Sequence, residues 1–276
     1  MKEKYKKILL NVSAILILVA FLFPLYWIVI TSLKSEKEIF AIVPTLFPKE
    51  IQFDAYIDQV LGEYNLARGF VNSCILGFST MLISVILAIP AAWGLARYSL
   101  KGRKFLIQSF LLTQMLPATL MLTPMFIIYK KIGILNTYWA PIIACCTGSI
   151  PFIVMMLRTY FITIPKEVEE AALIDGCSTF KAFIRIILPM SKPGVIMACI
   201  FSFIGGWGEL MYSLTFISDD SMRPMMSGIY NFMGRFGMQW NKIMAFGTVT
   251  IIPIVLIFIF MQKYIVAGLT SGAVKD

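Results

Sequence analysis

Six long apolar stretches are the feature that most restricts the fold of this chain. Each is long enough to cross the roughly 30 Å hydrocarbon layer of a bilayer as an α-helix, which takes about 20 residues. A helix also satisfies its own backbone hydrogen bonds where lipid offers no partners. The sequence therefore predicts an all-α membrane protein, a single transmembrane domain over residues 1–276, with spans near residues 8–32, 70–96, 105–129, 138–160, 194–216 and 244–265.

The composition and the distribution of charge support this prediction and orient the chain. Apolar residues make up 59% and charged residues 14% of the sequence, whereas soluble domains carry about 25% charged residues. Lys and Arg accumulate in cytoplasmic loops, and 15 of the 24 fall on the inner side if the N-terminus is inside. We therefore expect a multi-pass protein of the cell membrane with both termini in the cytoplasm. This topology accounts for the net charge of +9 without nucleic-acid binding.

The residue types that most often build metal sites and acid–base catalysis are absent or scattered. The chain has no histidine, and its five cysteines show no spacing typical of a thiolate metal site. Histidine is the commonest metal ligand and the commonest acid–base catalyst. The sequence therefore predicts no metal site, no disulfide and no catalytic residue, so the protein is not expected to be an enzyme.

Prolines and glycines inside the predicted spans indicate where helices could bend or approach one another closely. Gly205, Gly206 and Gly208 lie in the fifth span, where they allow either close helix packing or an unwound stretch. Proline bends helices because it lacks an N–H and its ring clashes with the preceding turn. Candidate hinges are Pro24, Pro90, Pro117, Pro124, Pro151 and Pro253.

A polar segment at residues 165–189 separates the fourth and fifth predicted spans. Pro165 suits the first turn of a helix, and Asp175-Gly176 should end that helix because glycine adopts positive φ at little cost. Ser178 can then cap a second helix. This second helix is expected to end at Pro189 and to carry an apolar stripe along one face, made of Phe180, Phe183, Ile184 and Ile187.

This segment therefore predicts a helical hairpin on the cytoplasmic side, for which two uses remain open. A bilayer gives no reason for a charged, glycine-broken stretch at this place, so the hairpin could bind a soluble partner. The small side chains of Ala171 and Ala172 would let such a partner approach the backbone closely. Alternatively, the apolar stripe would let the hairpin lie on the inner leaflet.

The spacing Glu170-Ala171-Ala172, Gly176, Ile186-x-Leu188-Pro189 resembles the signature of the inner-membrane permease subunits of ATP-binding-cassette (ABC) importers. Further matches resemble the carbohydrate-uptake branch, as in the second, shorter permease of maltose-type transporters. Gly208 departs from the pattern, because many relatives carry Asn there. The further matches are Asn72-Ser73, Ala96-Arg97-Tyr98, Trp207-x-Glu209 and the tail Tyr264–Lys275.

The resemblance implies the type I ABC importer permease fold, with six transmembrane helices and a cytoplasmic coupling-helix hairpin. It implies an ATP-driven, binding-protein-dependent importer of sugars or oligosaccharides that works by alternating access. The partners would be a second permease subunit, two cytosolic ATPase subunits, an extracytoplasmic substrate-binding protein, the sugar and the lipid bilayer. ATP and Mg would bind the ATPases, since this chain lacks a Gly-x-x-x-x-Gly-Lys-Ser/Thr phosphate loop, and no cofactor is expected here.

The resemblance also assigns residues to contact with the ATPases. In the coupling hairpin at 165–189 these are Glu170, Ala171, Ala172, Asp175, Gly176, Phe180, Phe183, Ile186, Leu188 and Pro189. In the C-terminal cytoplasmic tail at 266–276 they are Gly268, Thr270, Gly272 and Lys275.

Five polar or aromatic residues within the spans are candidates for the substrate pathway. Asn72 and Gln114 could bind hydroxyl-rich cargo or make hydrogen bonds between helices. Glu209 is the acid placed inside a span, and buried carboxylates in lipid usually face a cavity or a partner. It could bind cargo beside Trp207 and Tyr212, pair with a cation of the neighbouring permease, or reach the outer interface.

Two other functions remain open for a chain of this kind. A permease of the same family could carry a different solute, such as glycerol phosphate or a polyamine. An ion-coupled secondary transporter could have the same helical build. Carriers of that class generally place ionisable side chains at mid-membrane, and a lone Glu209 without histidine makes a poor proton relay.

Overall fold

The structure is a computed structural model that describes residues 2–61, 66–234 and 237–270. Most of these residues are helical, as the apolar stretches predict. The α-helices are, in chain order, α1 (Lys2–Ser32), α2 (Glu36–Ile39), α3 (Asp54–Leu61), α4 (Leu66–Arg97), α5 (Arg103–Met115), α6 (Ala118–Ile132), α7 (Trp139–Thr163), α8 (Lys166–Ile174), α9 (Thr179–Ala182), α10 (Leu188–Met190), α11 (Lys192–Trp207), α12 (Met211–Phe216) and α13 (Trp240–Thr270).

Short elements of other types complete the described chain. A π-helical turn, Phe183–Ile187, joins α9 to α10. Two 3-10 helices follow α12, at Asp220–Met222 and Met225–Phe232. The two-residue strands β1 (Met233–Gly234) and β2 (Gly237–Met238) pair antiparallel, with Met233 opposite Met238. This small hairpin leaves the fold all-α in class.

Four of the described helices are long and apolar enough to cross a membrane. They are α1 from Lys4, α4, α7, and α13 as far as Tyr264. Two bent helix pairs raise the number to six if each pair is one span. One pair joins α5 to α6 at an angle of 102°, and the other joins Thr179–Met190 to α11 at 77°. The predicted number of spans is reached only with these bent pairs.

The third predicted span, 105–129, is broken rather than continuous. Helix α5 ends at Met115, and Leu116 and Pro117 have extended ψ angles of 124° and 132°. The ring of Pro117 disfavours a helical conformation at the residue before it, which explains the break. The other candidate hinges, Pro24, Pro90, Pro124, Pro151 and Pro253, lie inside helices that continue past them.

The fifth predicted span, 194–216, is also broken. Helix α11 ends at Trp207, and a new helix begins at Met211. Close packing occurs two residues before the break, because a Cβ on Gly206 would lie 2.8 Å from the Leu76 carbonyl oxygen and 2.9 Å from the Gly77 Cα. The two alternatives for these glycines are therefore both present. Gly206 allows close helix packing, and residues 208–210 form the unwound stretch.

Gly206→Ala is expected to destabilise the packing of α11 on α4 by about 1–3 kcal/mol, the usual cost of overpacking a filled core. The added methyl group would meet backbone atoms of α4, which cannot move aside as a flexible side chain would. Gly205→Ala is the matched control, since its Cβ would meet only the Ser149 hydroxyl at 3.4 Å. Reversible unfolding of both variants in SDS measures the difference, and equal stabilities would contradict this packing.

The described residues fall into two compact units, and the first comprises Met1–Ala67 and Gly228–Pro253. In this unit the segment after α1 is folded and contains the short helices α2 and α3. The Glu38 carboxylate accepts hydrogen bonds from the Thr45 hydroxyl and the Lys49 amide, and these bonds lower the pKa of Glu38. Further along, Lys242 on α13 pairs with Asp58 on α3 at 2.8 Å.

The second unit comprises Arg68–Ser227 and Ile254–Asp276. Its largest buried cluster joins α4, α7, the π turn and α11 through small and branched side chains, which fit closely packed helices. The fully buried members are Ala88, Ala92, Ile153, Val154, Leu157, Phe161, Ile187 and Ala198. The segment between α7 and α11 is therefore held by this cluster.

Candidate functional site

The predicted hairpin is present, and its corner is built by a glycine in the left-handed region. Helix α8 ends at Ile174, and Gly176 has φ +85° with no heavy atom within 4 Å of the position of a Cβ. The Gly176 amide donates to the Leu173 carbonyl at 3.1 Å, and the Cys177 amide donates to Ala172 at 3.0 Å. These two bonds form a Schellman cap. Backbone conformation, rather than space, requires glycine at this position.

The second arm of the hairpin begins as predicted but continues differently. The Ser178 hydroxyl accepts from the Lys181 amide and caps α9. After one short helix the backbone widens into the π turn, and the helix ends at Met190, so the prediction that Pro189 ends it is wrong. Pro189 has no N–H to bond the Arg185 carbonyl, and the loss of this α-helical bond is compatible with the π turn just before it.

The single apolar stripe predicted for this arm is also wrong. Phe183 and Ile187 are buried, whereas Phe180 is 71% and Ile184 42% exposed. The π turn is the physical reason, because its i to i+5 hydrogen bonds change the side-chain period on which the stripe was drawn. The arm therefore buries Phe183 and Ile187 in the core and leaves Phe180 and Ile184 on the surface.

The residues proposed to contact ATPases separate into exposed and buried groups. Ala172 and Phe183 are only 3% and 4% exposed, so they pack within the second unit rather than facing a partner. Ala171, next to Ala172, offers the small exposed side chain instead. Ile186 and Leu188 are half-buried, and the exposed residues of the set are Glu170, Ala171, Asp175, Gly176, Phe180 and Pro189.

Two apolar residues beside the corner had not been singled out from the sequence. Ile174 is 86% and Leu173 43% exposed at the end of α8. Isolated exposed apolar residues are common, but these two precede the same glycine corner that Phe180 follows. A pair of aliphatic residues before an Asp-Gly break is the sequence signal that could have identified them.

Asn72 is occupied by contacts within the chain. Its amide nitrogen donates to the carbonyls of Ser221 and Arg223, both at 2.9 Å, and its amide oxygen accepts from the Tyr138 hydroxyl at 2.8 Å. The neighbouring Ser73 hydroxyl accepts from the Met225 amide at 2.9 Å. Asn72, which is 3% exposed, therefore holds the 220–225 segment against α4 and does not face an open pathway.

Glu209 is a helix cap rather than an open carboxylate. One of its oxygens accepts from the Tyr212 amide, and the other accepts from the Ser213 amide at 2.8 Å and the Ser213 hydroxyl at 2.6 Å. The side chain is 8% exposed. The break before α12 leaves the first amides of that helix without helical partners, and the carboxylate satisfies two of them. The Glu209 carboxylate is therefore occupied by this cap. It is not occupied by cargo, by a cation of a neighbouring permease or by the outer interface.

The aromatic candidates differ in exposure. Trp207 is 1% exposed and lies against Phe203, with ring centroids 5.8 Å apart, and against Phe70 at 5.2 Å. It therefore packs inside the unit instead of offering a ring face to a sugar. Tyr212 is half-buried and stacks on Phe216.

Gln114 is the one exposed residue among the five pathway candidates. It lies on α5 and donates to the Gly148 carbonyl on α7 at 2.8 Å. Of the five candidates, Gln114 and Tyr212 are thus the two that retain surface for contact with a solute.

The C-terminal candidates lie at the edge of the described chain. The backbone of α13 remains helical through Thr270, beyond the predicted end at residue 265, and it includes Gly268. Gly272 and Lys275 lie outside the described residues. Within residues 2–61, 66–234 and 237–270, no cluster of three or more His, Cys, Asp or Glu side chains could hold a metal ion.

Comparisons with known proteins place this arrangement in a family. Residues 78–271 match the family described as binding-protein-dependent transport system inner membrane component. The chain is 34% identical over 278 residues to the trehalose/maltose transport system permease protein MalG of Thermococcus litoralis, with 99% of each chain covered. It is 32% identical over 266 residues to the diacetylchitobiose uptake system permease protein DasC of Streptomyces coelicolor, with 96% of each covered.

A solved structure shows the same fold. It is described as a bacterial ABC transporter involved in the import of the acidic polysaccharide alginate, and it matches with a TM-score of 0.77 at 19% identity, covering 96% of this chain and 98% of that one. The likeness confirms the predicted fold of an ABC importer permease. With the family match and the full-length relatives, it shows that the chain belongs to the inner membrane components of binding-protein-dependent transport systems.

Proposed function

We propose that this chain is a transmembrane permease subunit of an ATP-driven, binding-protein-dependent importer of sugars or oligosaccharides. The observation that carries the proposal is the glycine-cornered hairpin, whose exposed residues match the family signature while its other face is packed into the second unit. The relatives named for trehalose and maltose and for diacetylchitobiose support a carbohydrate as the cargo.

The proposed assembly contains this chain, a second permease subunit, two cytosolic ATPases and an extracytoplasmic substrate-binding protein. Both termini and the hairpin would lie in the cytoplasm, where the ATPases bind and hydrolyse ATP with Mg, while this chain itself hydrolyses nothing. Closure of the ATPases would pull on the exposed side of the hairpin. Packed helices respond as near-rigid units, so this pull would switch the pathway between inward-open and outward-open states.

An ion-coupled carrier is less well supported by the geometry. Such carriers use ionisable side chains that are free to exchange ions or protons at mid-membrane. Glu209, the acid that the sequence places within a span, is occupied by the amides of Tyr212 and Ser213. A proton relay would require breaking that helix cap in every cycle.

Reconstitution tests the proposal. The tagged chain is purified from its source with its bound subunits, placed in proteoliposomes, and supplied with binding protein and radiolabelled maltose, trehalose or chitobiose. We expect a separate ATPase to co-purify and uptake to depend on ATP, with a phosphate-loop lysine substitution in that ATPase as the control. Uptake that persists without ATP and stops with an uncoupler would favour the ion-coupled carrier instead.

A further inference from the structure

The end of α4 is joined to the hairpin through the side chain of Arg97. Its Nε lies 3.0 Å from a carboxylate oxygen of Glu169, in the first turn of α8, and its Nη2 donates to the Ile164 carbonyl at 2.9 Å. Ile164 directly follows the last residue of α7, where terminal carbonyls lack helical partners. The side chains of Arg97 and Glu169 are 7% and 13% exposed. One guanidinium thus connects α4 with the end of α7 and the start of the hairpin.

The second arm of the hairpin is held by the same end of α4. Trp93, one helical turn before Arg97, stacks on Phe183 with ring centroids 4.4 Å apart and an interplanar angle of 26°. The rings of Tyr98 and Trp93 are nearly perpendicular, with centroids 5.4 Å apart. The ion pair and the aromatic stack therefore hold α8 and the π turn to one short stretch of α4. We call Trp93, Arg97, Glu169 and Phe183 the α4 clamp.

Two adjacent carboxylates on α8 face in different directions. Glu170 is exposed, whereas Glu169 is turned towards α4 and paired with Arg97. A load applied by a partner at Glu170 would pass through the backbone of α8 to the neighbouring Glu169, which is held in a nearly buried ion pair. Such pairs resist separation because each charge would otherwise be left unpaired in a poorly solvated place.

We propose that the α4 clamp makes the hairpin and α4 move as one body, and that Arg97 and Glu169 are positioning residues for the coupling of ATP hydrolysis to transport. The inference rests on the proposed function for its transport readout. Arg97 belongs to the Ala96-Arg97-Tyr98 sequence that resembles the permease family. In this inference that sequence has a physical role, because it transmits movement from the hairpin to α4. Neither residue contacts solute or nucleotide in this role.

The first test is the number of solute molecules imported per ATP hydrolysed by the whole complex in proteoliposomes. Glu169→Gln and Arg97→Gln are each expected to lower this ratio by about 2- to 30-fold, the range for substitutions within a coupling network. The double variant should lower it no further, because both substitutions remove the same contact. Glu167→Gln, in the same turn but exposed, is the matched control and should leave the ratio unchanged.

The second test is a distance measurement that does not depend on transport. Spin labels at the exposed residues Thr179 and Leu87 report the separation of the hairpin and α4 in the assembled complex without ATP, with the native cysteines replaced. We expect a narrow distribution that broadens in Glu169→Gln. Arg97→Lys keeps the charge but cannot reach both partners at once, so it should restore the ratio only in part.

The outcomes separate this inference from the proposed function. Unchanged ratios and unchanged distances in Glu169→Gln and Arg97→Gln would overturn the clamp while leaving the importer intact. A lower yield of complex with an unchanged ratio would assign the pair to stability alone and would also overturn it. Absence of ATP-driven uptake in the wild-type complex would refute the proposed function, whereas the spin-label distances would still test whether α4 and the hairpin are joined.

Discussion

Gly176→Val is expected to abolish most ATP-driven uptake while the chain still inserts into the membrane. Gly176 has φ +85°, a conformation that costs an L residue about 1–2 kcal/mol and a β-branched residue more. The corner would therefore relax to another backbone shape, and the Schellman bonds to Ala172 and Leu173 would be lost. The exposed residues on either side of the corner could then no longer meet one partner together. Uptake per molecule of inserted chain measures the effect.

The chain offers a matched control for this backbone effect. Gly133 caps α6 at φ +74°, and like Gly176 it has no heavy atom within 4 Å of the position of a Cβ. Gly133→Val introduces comparable strain at a turn outside the hairpin and should retain most uptake. Gly176→Asn should recover part of the activity, because asparagine enters the left-handed region more readily than other residues. Normal uptake by Gly176→Val would refute the assignment of the corner.

The features that the sequence predicted correctly in the hairpin are local ones. The turn at Asp175-Gly176 and the cap at Ser178 each depend on a few neighbouring residues, and each is found where the pattern placed it. Glycine at positive φ and serine at an N-cap are strong local preferences. Patterns of this kind can be read from one sequence because their hydrogen bonds close within about five residues.

Contacts between distant segments could not be predicted in the same way. The partners of Asn72 lie 149 and 151 residues away along the chain, and Glu169 is separated from Arg97 by three helices, α5, α6 and α7. From the sequence alone, the side-chain amide of Asn72 could equally have faced a solute. Only the fold shows that both of its N–H groups donate to backbone carbonyls. The helix cap formed by Glu209 was missed for another reason, since the preferred capping residues are Ser, Thr, Asp and Asn.

The sequence also wrongly predicted two continuous helices, and both errors have the same physical cause. The third predicted span breaks at Leu116-Pro117, and the fifth breaks at 208–210. Hydropathy reports how apolar a stretch is but not whether its backbone can remain helical. Proline and glycine decide the latter, and the bends they introduce are tolerated in membrane proteins where protein or a cavity satisfies the freed backbone groups.

Phe180→Ala is expected to weaken binding of the partner ATPase by about 30-fold or more. Phe180 is 71% exposed on the second arm of the hairpin, and an aromatic anchor buried at an interface typically contributes 2 kcal/mol or more to binding, which corresponds to this factor. Because the ring makes little contact with its own chain, the fold should be unaffected. Titration of the ATPase onto the permease assembly in nanodiscs, with both the affinity and the ATPase rate recorded, measures the loss.

Phe105→Ala is the matched control, because Phe105 is also 71% exposed but lies on α5, outside the hairpin. Equal affinities in the two variants would show that Phe180 is no anchor. The same pair of variants separates the two uses left open for the hairpin. If the second arm lay on the inner leaflet, Phe180→Ala would reduce quenching of a nearby fluorophore by brominated lipids and leave the ATPase affinity unchanged. Loss of ATPase affinity without a change in quenching would place the Phe180 ring in a protein interface. The exposed Ile174 on the other side of the corner also favours a protein interface.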